Sequence, residues 1–155
     1  MSSTEAIAHG AYEISPDPAR LDVTAIHAYL TRSYWSPGIP LEIVEQALRH
    51  SLCFGVYGSA CGAQVGFSRV VTDYATFAYL CDVYVLEEHR GHGLGKRMMR
   101  EVMAHPALAG ARRVMLATRD AHGLYRKAGF ADVGQSRTLM EIVRPDIYAM
   151  GASRA

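Results

Sequence analysis

Gly91, Gly93 and Gly95 alternate within 88-EHRGHGLGKRM-98, behind Arg90 and ahead of a helix-like run. Glycine lets backbone N–H groups approach a ligand with no Cβ in the way. A helix N-terminus adds unsatisfied donors and the positive end of its dipole. Strand, acidic-basic turn, glycines and helix, in that order, suit a pyrophosphate; a plain strand-to-helix turn is the other reading. The spacing G-x-G-x-G is neither the G-x-G-x-x-G of a dinucleotide site nor the G-K-[ST] ending of a P-loop, so both nucleotide readings are weakened.

Other chemistry-bearing residues are sparse. Cys53, Cys61 and Cys81 are odd in number, fall in apolar strand-like runs and form no C-x-x-C pair, so they read as small buried hydrophobes. The seven histidines include no H-x-x-x-H on a helix, and no metal site is expected. A chain of 155 residues, half apolar, a fifth charged and of net charge +1, implies one domain with its core at about residues 10–145. It disfavours disorder and nucleic acid as the main ligand. The longest apolar runs, such as Tyr79 to Leu86, are interrupted by Asp82 and fall far short of the roughly 20 residues a membrane helix needs. The first 15 residues lack the basic start and apolar stretch of a secretory signal, which points to the cytosol.

The glycines need a strand leading in and a helix leading out, and the pattern supplies both. A strand near Ala11 to Ser15 is followed by a helix capped by Asp17, with Pro18 at its first position, running to about Arg32. Ser33 to Pro40 is a loop, and Leu41, Val44, Ala47 and Leu48 mark one face of a second helix. LCFGVY, AQVGFSRVVT and FAYLCDVYVL read as three antiparallel strands joined by hairpins. Leu94, Met98, Val102 and Met103 stripe the helix behind the glycines, which ends near His105-Pro106. RVMLAT is a strand reached by a crossover and so parallel to its predecessor. A short helix then ends at Gly129, FADV and TLMEIV supply two more strands, and Gly151 to Ala155 fray.

Arg90-x-x-Gly93-x-Gly95 after DVYVL resembles the acyl-CoA-binding motif of the GNAT N-acetyltransferase superfamily, and 118-TRDAHGLYRKAGF-130 resembles that family's second signature. The likeness spans about Leu52 to Val143. It implies an α/β acyl-CoA N-acyltransferase fold, a mixed, mostly antiparallel sheet flanked by helices. It further implies acetyl-CoA as cosubstrate, no metal, and direct transfer to a primary amine in a ternary complex. By this resemblance Val83, Tyr84 and Val85 offer backbone to the pantetheine arm, while Arg90, Gly91, His92, Gly93, Leu94, Gly95 and Lys96 surround the pyrophosphate. Thr118 to Ala121 lie across the opening, with Thr118 where many relatives have Asn.

Tyr125 matches the family's tyrosine beside the departing sulfur, where a protonated phenol can donate; a core tyrosine on a short amphipathic helix is the other reading, and motif position favours the functional role. The glutamates that relatives carry at the positions of Cys81 or Tyr79 are missing. Asp82 is then the candidate base or a structural hydrogen-bonder, and strand alternation turns it away from Cys81 and Val83. Water relayed by Tyr79 is the alternative route. Tyr34 and Trp35 either wall the acceptor pocket or plug the gap between two helices. Arg69, Thr72 and Asp73 select a charged group or are solvated turn residues. Arg97, Arg100 and Lys127 are candidates for the 3′-phosphate. The acceptor is expected to be a small-molecule amine ahead of a protein amine, with no nucleic acid or membrane partner, and the resemblance allows a homodimer. The rival reading is a non-catalytic acyl-CoA-binding or regulatory domain. A dinucleotide oxidoreductase fails on glycine spacing and on the lack of an initial βαβ unit.

Overall fold

A computed structural model describes residues 11–134 and 137–149. Five strands form one sheet in the order β1-β2-β3-β4-β5: Tyr12–Ser15, Leu52–Gly58, Gln64–Thr72, Phe77–Val85 and Arg113–Leu116. The first four are mutually antiparallel and β5 runs parallel to β4, as the crossover requires. Helices α1 (Val23–Leu30) and α2 (Leu41–Arg49) precede β2. Helix α3 (Leu94–Ala104), the short α4 (Pro106–Ala109) and α5 (His122–Lys127) surround β5 in sequence.

Alternation along the strands fills two cores. Leu52, Phe54 and Val56 of β2 meet Leu94, Met98, Met99 and Val102 of α3 on one face. Cys53, Phe67 and Tyr84 meet Ile26, Tyr29, Leu30 and Val44 of α1 and α2 on the other. Burying each such large apolar side chain contributes about 1.5–3 kcal/mol. The expected stripe on α3 gains Met99, which is fully buried, and so widens beyond the predicted four residues.

Three expectations about elements are corrected. The helix from Pro18 to Arg32 is two elements, a 3-10 turn at Pro18–Arg20 capped by Asp17, then α1. Between them Asp22 is extended. Its N–H donates to Gln64 Oε1 at 2.8 Å, and its own Oδ1 accepts from Ala25 N, so a tertiary bond breaks the helix and a second N-cap restarts it. FADV and TLMEIV form no strand among the described residues. Leu139, Met140, Ile142 and Val143 are exposed, and β propensity alone does not make a strand where the large apolar side chains stay in solvent. Cys61 is exposed in the β2–β3 turn, whereas Cys53 is buried and Cys81 half-buried. The residues expected to fray, 151–155, lie outside the described ones.

Candidate active site

The site begins where β4 and β5 part. Their pairing runs from Phe77↔Arg113 to Leu80↔Leu116, and β4 then continues to Val85 without β5 beside it. Opposite, Phe67↔Tyr84 and Arg69↔Cys81 leave two β4 residues, Asp82 and Val83, facing the single Ser68 of β3. This is a β-bulge, and Asp82 takes the left-handed φ of +53° within it. The bend opens a cleft of about 1040 Å³ between the two strands.

One end of the cleft is built largely from backbone. Gly91 (φ +85°) and Gly93 (φ +71°) line it, conformations that a side chain would strain, and a Cβ on either would meet no protein atom within 4 Å. Gly93 is the N-cap of α3 and no side chain caps the helix, so the first-turn N–H groups, from Leu94, Gly95 and Lys96, are left for a ligand. A Cβ on Gly95 would make only ordinary contact with Leu124 of α5, 3.5 Å away. Arg90 is used by the chain itself: Nε donates to the Val85 carbonyl at 2.9 Å and Nη2 to the Tyr29 hydroxyl at 3.1 Å. That bond takes the Val85 carbonyl out of the free β4 edge and pins the turn to the strand. His92 points elsewhere, its ring 5.9 Å from that of Tyr12, which in turn hydrogen-bonds His89 at 2.8 Å.

Midway, Val83 and Tyr84 of β4 face Leu116, Thr118 and Tyr125 across the opening. Thr118 Oγ1 accepts from Ala121 N at 3.0 Å and shapes the turn into α5. Tyr125 is 8% exposed, on the wall of the cleft. Burial first, then the neighbouring Tyr34 and Asp120, push its phenol up to about 12, so it carries its proton at neutral pH. Tyr79 also lines the cleft, and burial, then Cys81 and Glu141, raise its phenol as well.

The far end is built from side chains that hold one another. Asp82, 8% exposed, accepts from Arg69 Nε at 2.6 Å and from Trp35 Nε1 at 2.9 Å. Arg69 also donates to Ser51 Oγ at 3.1 Å. Burial works to lower the Arg69 pKa, but the Asp82 carboxylate more than offsets this and the net shift is upward. The expectation that alternation turns Asp82 from Cys81 is corrected by the bulge: its carboxylate reaches Arg69, the register partner of Cys81. The α1–α2 loop is wound tightly by Ser33 Oγ to Leu30 O, Ser36 N to Ser33 Oγ and Gly38 N to Thr31 O. It carries Tyr34 and Trp35 to the cleft, and Tyr34 reaches the β5–α5 loop, where Arg119 lies 3.8 Å over its ring.

A sequence model of the Acetyltransferase (GNAT) family matches residues 23–130. The chain belongs to the GNAT family of acetyltransferases. A curated Gibberella zeae protein, named a putative acetyltransferase, is 39% identical over 139 residues, covering 76% of this chain and 77% of that one. A solved structure from Xanthomonas campestris pv. campestris, described as a putative GNAT acetyltransferase, is 50% identical with a TM-score of 0.84, over 89% of this chain and 96% of that one. At 16% identity, glucosamine-6-phosphate N-acetyltransferase from Arabidopsis thaliana shares the fold, with a TM-score of 0.60 over 86% of this chain and 99% of that one.

Against that GNAT identity, most residues singled out in the sequence gather in the one cleft. Asp73 does not: it sits in the β3–β4 turn, where its carboxylate accepts from Ala75 N, Thr76 N, Thr76 Oγ1 and Phe77 N. Those bonds, that of the Thr76 hydroxyl foremost, hold its pKa far below the usual carboxylate range, marking a turn-former. Thr72 caps the same turn, and Arg97, Arg100 and Lys127 do not line the cleft. Sequence reasoning missed Tyr29, which stacks on Tyr84 at 3.9 Å and receives the Arg90 bond; it set Arg119 across the opening within Thr118 to Ala121 but gave it no role of its own. Arg119 directly follows Thr118, so the second GNAT signature brings it to the cleft; Tyr29 is long-range and has no local sign. Among the described residues no His, Cys, Asp and Glu side chains cluster as a metal site, and no helix is long and apolar enough to cross a membrane.

Proposed function

We propose that this GNAT protein transfers the acetyl group of acetyl-CoA to a primary amine, in a ternary complex without a covalent enzyme intermediate. The observation that carries this is the splayed β4–β5 cleft with an uncapped, glycine-lined helix start at one end and a buried, protonated tyrosine in its wall. The fit for a pyrophosphate rests on Gly91 and Gly93, which line the cleft at positive φ with open space where a Cβ would stand. Acetyl-CoA supplies an activated thioester. The N–H groups of the free β4 edge at the bulge can polarise its carbonyl.

The Tyr125 hydroxyl can protonate the sulfur as it leaves, since its pKa near 12 keeps the proton available across the working range. Cys53 and Cys81 are poor nucleophiles, because burial pushes their thiols up to about 12 and about 11. Asp82 is committed to Arg69 and Trp35 and so serves as a positioning residue for the acceptor loop. Removal of the amine proton then falls to water, with the neutral Tyr79 phenol able to relay. A small-molecule acceptor is favoured over a protein lysine, because the α1–α2 loop reaches the β5–α5 loop through Tyr34 and narrows access.

The commitment of Asp82 also favours a second reading, a domain that binds acyl-CoA without turnover. Thermal shift and a CoA-release assay over a library of amines separate the two. Acetyl-CoA at 100 times its Kd should add about 2.7 kcal/mol of stability, on the order of 5–10 °C for a domain of this size. Stabilisation with CoA release supports transfer, stabilisation without it on any amine supports the second reading, and no stabilisation removes both.

A further inference from the structure

The cleft's charges are lopsided. Arg32, Arg69, Arg90, Lys96 and Arg119 line it against two carboxylates, Asp82 and Asp120. Lys96 and Arg90 stand at the glycine end, where a pyrophosphate accounts for positive charge. At the other end Arg69 is spent on Asp82 at 2.6 Å, and Arg32 on Glu87 through two bonds of 2.8 and 3.1 Å. Arg119 is different: among the described residues no carboxylate lies within ion-pair distance of it.

Arg119 is nonetheless held. Its guanidinium carbon lies 3.8 Å over the Tyr34 ring, and its backbone N–H points to the Tyr34 hydroxyl at 3.4 Å. Tyr34 packs edge-on against Trp35, which Asp82 fixes. A guanidinium stacked by its face keeps its N–H edge free, which is the geometry that reads a carboxylate or phosphate. The neighbouring Asp120 acts on Tyr125, so its charge bears on the reacting end, where an ammonium would arrive.

We infer that Arg119, stacked on Tyr34, is the receptor for an anionic group on the acceptor, so that the substrate is a monoamine bearing a carboxylate or phosphate near its amine. This rests on the acetyltransferase reading above. Polyamines and other polycations are disfavoured, because among the described lining residues the only carboxylates are Asp82, paired with Arg69, and Asp120. The exposed faces of Tyr34 and Trp35, 46% and 36% accessible, offer apolar contact to the rest of the acceptor.

Matched acceptors test this: phenylalanine against phenylalaninamide, methionine against methioninamide, and 2-aminoethyl phosphate against ethanolamine, with spermidine as the polycation. The expected result is a tenfold or larger kcat/KM preference for an anionic member, expressed mainly in KM. Arg119→Gln should collapse that preference, and Arg119→Lys should retain part of it, as a point charge replaces a fork. Acetyl-CoA Kd, measured by titration on the same variants, locates the loss. A preference for the neutral members or for spermidine, an unchanged ratio in Arg119→Gln, or a loss that appears in acetyl-CoA Kd instead would each overturn the assignment. Acetyl-CoA binding without turnover of any anionic acceptor counts against it equally. Absence of acetyl-CoA binding would remove the acetyltransferase reading itself, whereas binding with turnover of neutral amines alone would remove only this inference.

Discussion

The glycine end of the cleft is built from main chain; the α1–α2 end is built from side chains that depend on one another. Gly91, Gly93 and the first turn of α3 are consecutive in the chain, and their N–H groups are aimed by φ angles that local sequence dictates. Trp35, Arg69, Asp82 and Arg119 come from four separated segments and converge only through the sheet. A backbone cradle is indifferent to most side-chain changes, so it suits a donor common to a family. A side-chain cluster can be rewritten residue by residue, so it suits an acceptor peculiar to one member.

The sharpest break of this contrast lies between the two ends. Tyr125→Phe removes the proposed proton donor while keeping the ring in its wall, and kcat should fall about 10²–10⁴-fold with little change in acetyl-CoA Kd, measured by steady-state kinetics and titration. The alkaline side of the profile gives a companion check. Burial raises the Tyr125 pKa to about 12, so the folded state holds this proton more tightly than the unfolded chain, whose phenol titrates near 10. The stability tied to it is present below pH 10 and is lost as pH rises through 12. Denaturant melts from pH 9 to 12 should show wild type losing more stability than Tyr125→Phe.

Asp82→Asn comes next. It leaves the largely buried Arg69 without its counter-charge, a change that costs toward the lower end of roughly 3–5 kcal/mol for such a pair. The loss should appear in melting temperature and acceptor KM, while acetyl-CoA Kd and the ascending limb of the pH–rate profile stay near wild type. If that limb disappears instead, Asp82 is a base and the contrast between a positioning end and a reacting centre fails.

Gly93→Val does the reverse. A β-branched residue at φ +71° adds about 1–2 kcal/mol of backbone strain at a position that lines the cleft. Acetyl-CoA Kd should rise at least tenfold, with a melting shift of only a few degrees. The smallest effect is chemical. Iodoacetamide at pH 8 should label exposed Cys61 and spare Cys53 and Cys81, whose thiols burial holds near 12 and 11, with activity nearly unchanged by mass-matched assay.

What was legible in the sequence follows the same division. The order of strands and helices, the parallel β5 and the glycine cradle rest on periodicity and on short-range turn chemistry, which survive in any context. Tyr125 was legible because its helix and the strand before it form one contiguous motif. The bulge at Asp82 was not, because a two-against-one register is decided by the neighbouring strand, and with it went the direction of the carboxylate. The break before α1 depends on Gln64, 42 residues away, and TLMEIV carries strand-like residues whose large apolar side chains stay exposed. Asp73 looked like a charged group beside the site, yet four local bonds make it a turn-former.

Backbone hydrogen exchange with and without acetyl-CoA tests the central claim most directly, since it reads the donor end amide by amide. The account predicts slowed exchange at Val83, Tyr84 and residues 91–96 when acetyl-CoA is present, with Gly93→Val abolishing the protection. Protection confined to other segments, or none at saturating acetyl-CoA, would contradict it.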